Sequence, residues 1–114
     1  MQKEDKKKLL AEYKNRVMTG GVVAVKNNAN GKVWIEGVVD ISGRRNRFDF
    51  VKNTGSAVPL NIRDDWQKFG GEVFSFEVFE ELKKKDEQSK EEFAKDVETL
   101  KELCLEKFKA EEMY

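Results

Sequence analysis

Gly21–Arg47, GVVAVKNNANGKVWIEGVVDISGRRNR, decides how the rest of the chain is read. Two β-branched runs, Val22–Lys26 and Lys32–Val38, flank an Asn-rich connection ending in Asn30-Gly31. Asn-Gly between apolar strands is a strong hairpin signal, because both residues take positive φ at little steric cost. Asp40-Ile41-Ser42 follows as a helix start, with the aspartate placed to cap free backbone N–H groups. Ile41, Arg44, Phe48 and Val51 fall at i, i+3, i+7 and i+10, on one face of that helix. Three of the four are apolar, so the face looks toward the sheet and Arg44 goes with it. A cation directed at a sheet needs a carboxylate, since an unpaired buried charge is costly, and Glu36 is the candidate partner.

Beyond the arginine helix, the polar stretch Asn53–Ser56 leads to Pro59, the one proline. Leu60, Ile62, Trp66 and Phe69 predict a second, short helix ended by Gly70-Gly71. Trp66, on the apolar side of that helix, reads as core rather than as a platform for a base. Val73–Phe79 predicts a third strand, with Phe74, Phe76 and Val78 on an apolar face and a mixed face opposite. After a charged turn at Lys83–Gln88, Ser89 and Glu92 spell the capping box S-x-x-E and open a long last helix. Phe93, Val97, Leu100, Leu103, Cys104 and Phe108 mark its buried stripe, with Cys104 as a small hydrophobe within it. Upstream, Lys3–Arg16 predicts a short amphipathic helix whose Lys6-Lys7-Lys8 run is a solvated face or a phosphate contact.

A chain of 114 residues supports one domain, 1–114, with a real if small core. No apolar run approaches the roughly 18–20 residues that span a bilayer, and the N-terminus lacks an apolar signal segment. The expectation is a cytoplasmic protein with no membrane partner. A single cysteine excludes an internal disulfide, and the absence of histidine excludes His-based zinc sites and Ser-His or Cys-His pairs. Net charge is zero but unevenly spread: residues 1–70 carry 14 Lys and Arg against 8 Asp and Glu, and residues 71–114 carry 8 against 14. A polyphosphate partner would favour the first part and avoid the second.

The hairpin and helix together resemble the first half of a GIY-YIG nuclease domain, a family named for two tripeptides on a hairpin followed by a helix bearing an arginine. Gly21-Val22-Val23 stands in place of Gly-Ile-Tyr, and Trp34-Ile35-Glu36 in place of Tyr-Ile-Gly. Ala24–Val33 separates them by the family's length, and Arg44 falls ten residues after Trp34, where the family's arginine lies. Lys26-Asn27 and Asn30-Gly31-Lys32-Val33 are also family-like, and the resemblance extends through Phe69-Gly70-Gly71, the third strand and the last helix. It implies an α/β fold: a small three-stranded, largely antiparallel sheet flanked by helices.

The resemblance also implies a site for phosphodiester cleavage. In the family, two tyrosines activate a water, the arginine stabilises charge on the phosphate, and a glutamate on a later helix holds a divalent metal. By position, Val23 replaces the first tyrosine and can neither donate nor ionise. Trp34 replaces the second, and its indole only donates. Glu36 adds negative charge where a glycine should let phosphate approach. Lys101 falls at the metal-glutamate position, with Cys104 at the aromatic position after it, and a charged lysine cannot ligate Mg²⁺. Arg44 alone is retained. The resemblance therefore implies a catalytically inactive family member, without cofactor or metal, acting as a nucleic-acid- or protein-binding module. Arg45, Arg47 and Lys52 are its candidate phosphate contacts. The alternative is a Mg²⁺-dependent DNA endonuclease with an altered site, in which Glu36, Asp40 and Glu98 or Glu102 gather the metal beside Arg44. A third reading makes the chain a structural or regulatory partner of another protein, through its acidic last helix.

Overall fold

Val22-Val23-Ala24-Val25 is apolar at every position, as a strand covered on both faces must be. The structure, a computed structural model, describes residues 18–114, and this run lies in its middle strand. The helix expected at 3–16, with Lys6–Lys8, lies outside the described residues. β1 (Thr19–Asn27) sits between β2 (Val33–Val38) and β3 (Phe74–Lys83), antiparallel to both. Among the described residues three α-helices complete an α/β fold of the expected kind: α1 (Ile41–Thr54), α2 (Leu60–Phe69) and α3 (Lys90–Leu105).

Alternation along β1 divides the core into two. Val22 and Ala24 pack with Val33, Ile35 and Cys104 on the α3 side. Val25 packs with Phe48 of α1, Val58, Ile62 and Phe74 on the other. α1 buries Ile41, Arg44 and Phe48, the face that its spacing marks. Trp66 is core-facing too, stacked on Phe74 with ring centroids 4.9 Å apart. Among the described residues, no helix is long and apolar enough to cross a membrane.

Several boundaries differ from the sequence reading, each for a local reason. β1 starts at Thr19, ahead of the expected Val22–Lys26 run, and takes in Gly20-Gly21. A Cβ on Gly20 would lie 2.5 Å from the Val38 carbonyl oxygen, and Gly21, at φ +147°, has the Glu80 carbonyl where its Cβ would be. The two glycines let both neighbouring backbones close on β1 just before its register with β3 shifts, between Val22 and Val23. That pairing also carries β3 through charged residues to Lys83, past the expected end at Phe79. Asp40 holds the N-cap position of α1 but makes no side-chain cap hydrogen bond. Ser89 does cap α3, accepting from the Glu92 N–H at 3.1 Å. Leu103 is 54% exposed and drops out of the buried stripe. Phe108 lies past the helix end but still stacks on Phe79 at 5.6 Å.

The last residues close the outer edge of β2. Met113 bridges Val33 in parallel, and the Tyr114 N–H donates to the Val33 carbonyl at 2.9 Å. The Tyr114 hydroxyl donates to Asp65 at 2.6 Å and accepts from the amide of fully buried Asn27 at 2.9 Å. Asn30 donates to the same Asp65 oxygen at 3.1 Å. The Tyr114 bond holds the Asp65 carboxyl below its usual range against the opposing pull of burial. Burial, and then the Asp65 bond, push the Tyr114 hydroxyl above its own.

Candidate functional site

On β2 the alternation sends Trp34 and Glu36 to the α1 side, and Ile35 and Gly37 to the α3 side. Antiparallel pairing sets Glu36 opposite Val23, and Trp34 opposite Val25. α1 crosses this face and brings Arg44 to Glu36. Nε donates to Oε2 at 2.8 Å and Nη2 to Oε1 at 3.3 Å, so both carboxylate oxygens are engaged. The guanidinium also lies over the Trp34 ring, 5.5 Å from its centroid. Val23, 1% exposed, is interior. The four positions singled out on the hairpin and α1 are thus brought to one face of the sheet, with the carboxylate that Arg44 requires.

Beside the pair opens a cavity of about 460 Å³. Trp34, Glu36 and Arg44 form one side of it, and Arg47, Phe50 and Val51 of α1 a second. Ala57 and Pro59, on the segment that joins α1 to α2, supply the third. Ala57 is held at φ +58°, the only non-glycine positive φ among the described residues. Arg47, three residues after Arg44, has no acidic partner within ion-pair distance among the described residues.

The remaining candidate positions lie elsewhere. A Cβ on Gly37 would lie 3.4 Å from the Cβ of Lys101, so Lys101 packs on the sheet face away from Arg44. Its ammonium is 3.9 Å from Glu98. Glu98 and Glu102 share α3 with it, so Glu36, Asp40 and Glu102 do not converge. Among the described residues, no three Asp, Glu or Cys side chains gather to hold a metal ion. Arg45 and Lys52 are also apart from the cavity. Seven residues separate them, about two helical turns, so they align along one flank of α1, while Arg47 is rotated about 200° from Arg45. Arg45 lies 5.4 Å from the Phe76 ring and Lys52 5.8 Å from the Phe48 ring.

Sequence reasoning missed Phe50, Ala57 and Pro59 as cavity walls. Phe50 carried a signal, since it is a large aromatic off the buried face of α1 and is 56% exposed. The backbone turn at Ala57 had none. No family model, curated protein or solved structure matches the chain, so its site rests on its own geometry.

Proposed function

We propose that this chain is a non-catalytic binding module on a GIY-YIG-like hairpin and arginine helix, with the cavity beside Arg44 as its site. The two-pronged Glu36–Arg44 pair carries this reading. In the resembled family the arginine meets phosphate, whereas here its charge is satisfied within the protein. A phosphate would meet a guanidinium whose charge is already neutralised, beside a carboxylate that repels it. Val23 and Trp34 supply no base, and Lys101, which the resemblance aligns with the metal ligand, lies across the sheet. Binding chemistry is what the remaining groups offer: an indole, a half-exposed phenylalanine and an arginine without an acidic partner among the described residues. A nucleic acid would meet the exposed cations Arg45, Arg47 and Lys52; a protein would use the cavity.

The test is incubation of the purified chain with supercoiled plasmid and Mg²⁺ or Mn²⁺, with and without chelator. No nicking is expected. Chelator-sensitive nicking that Arg44→Ala abolishes would replace this reading with the altered-site endonuclease.

A further inference from the structure

We propose that the cavity receives an acidic peptide segment, with a large apolar side chain seated between Trp34 and Pro59 and a neighbouring carboxylate held by Arg47. This rests on the non-catalytic reading above and names its partner.

Charge selects the class. Glu36 and Arg44 cancel each other, which leaves Arg47 as the one uncompensated charge of the lining among the described residues. A site of that balance suits a single carboxylate, which an arginine can hold through two parallel N–H bonds. The repeated phosphates of a nucleic acid need a run of cations. Arg45 and Lys52 cannot extend Arg47 into one, because they occupy the opposite flank of α1. The carboxylate of Glu36 at the cavity also repels a second anion.

Shape and surface point the same way. A volume of about 460 Å³ accommodates a Phe or Leu side chain with its own backbone. Trp34 and Phe50 offer aromatic surface, and Ala57 and Pro59 an apolar wall. The wall is set by an alanine in a left-handed conformation, a strain of the kind that collects at binding sites. Leu60, next to Pro59, is 79% exposed, so apolar surface continues beyond the cavity, as a bound chain requires and a free small acid does not. An exposed phenylalanine and a partly buried tryptophan around an arginine are also the composition of protein-recognition anchors.

The experiment is an NMR titration of the isotope-labelled chain with the blocked peptide acetyl-Gly-Asp-Phe-Gly-amide. The Trp34 indole N–H and the Arg47 side-chain N–H are the reporters. Saturable shifts at both are expected, weakened roughly tenfold by Arg47→Ala or by a peptide with Asn for Asp, and partly restored by Arg47→Lys. Arg47 is exposed, so its replacement leaves the fold intact. The absence of a saturable shift at millimolar peptide overturns the proposal, as does binding that ignores Arg47. Tighter binding of a single-stranded oligonucleotide, dependent on Arg45 and Lys52, overturns it in favour of nucleic acid. In a chain that does not nick plasmid, these failures remove the peptide and leave the non-catalytic module standing; nicking removes the module itself.

Discussion

Glu36→Gln is the sharpest perturbation of the site, because it keeps the shape of the side chain and removes its charge. In the wild type, two guanidinium N–H groups meet two carboxylate oxygens, at 2.8 and 3.3 Å. The amide offers one acceptor and turns an N–H donor toward the second guanidinium N–H. Breaking a fully buried pair costs about 3–5 kcal/mol, and an exposed pair contributes about 0–1 kcal/mol. The side chains of Arg44 and Glu36 are 10% and 22% exposed, and the cavity admits water to them, so the site falls between these limits. We expect a loss of about 2 kcal/mol, or roughly 8–12 °C in Tm for a domain of this size. Urea unfolding followed by circular dichroism measures it. A double-mutant cycle with Arg44→Met should give a coupling of about 1.5 kcal/mol. Replacing both residues, as Glu36→Leu with Arg44→Met, should return stability to within about 1 kcal/mol of wild type, since a packed apolar pair replaces the ionic one. A Glu36→Gln variant within about 0.5 kcal/mol of wild type would refute the claim that Arg44 depends on this carboxylate.

Ala57→Gly should stabilise the chain by about 0.5–1 kcal/mol, because relief of the left-handed strain exceeds the added freedom of the unfolded glycine; a lower Tm would contradict the conformation at Ala57. Tyr114→Phe removes the bond that lowers the Asp65 pKa and is itself one cause of the raised Tyr114 value. The depressed Asp65 contributes stability present above the ordinary carboxylate range and lost as pH falls through its folded value. The raised Tyr114 contributes stability present below about pH 10 and lost as pH rises beyond it. Unfolding measured against pH should therefore show a gap between wild type and Tyr114→Phe that is flat around neutrality and narrows at both extremes; a constant gap throughout would exclude the linkage. The combined change Val23→Tyr, Trp34→Tyr, Glu36→Gly and Lys101→Glu should yield no plasmid nicking, because the carboxylate from Lys101→Glu faces away from Arg44. Metal-dependent nicking by that variant would show that the sheet does not separate the two positions.

What the sequence made legible was the part governed by local periodicity. The Asn30-Gly31 signal, the alternation of β2 and the i, i+3, i+7 spacing on α1 each depend on neighbours in the chain, and together they placed Arg44 beside Glu36. Contacts between distant segments were not legible. Asn27 looks like a loop residue in a polar run, yet it is fully buried because Tyr114, 87 residues away, supplies its partner. The face on which Lys101 lies was equally hidden. Periodicity identifies the buried stripe of α3 but does not say which side of the sheet receives it. Arg45 and Arg47 look like one basic cluster in sequence, and only the helix turn separates them.

The burial of Arg44 and the character of the site have one cause. An arginine on the sheet face of α1 is tolerable only with a carboxylate across from it, and β2 supplies Glu36 at the register position opposite Val23. That carboxylate takes the Nε and Nη2 edge of the guanidinium and neutralises its charge, so the condition that lets Arg44 stay in the fold also weakens its pull on an incoming anion. One turn later, the same helix carries Arg47 to the cavity, where no acidic side chain among the described residues meets it. The cation open to solvent at the cavity is therefore Arg47, three residues along α1 from Arg44, whose place is governed by packing. Under the reading proposed above, that cation suits a carboxylate beside an apolar group at the cavity rather than a phosphate pressed against the hairpin.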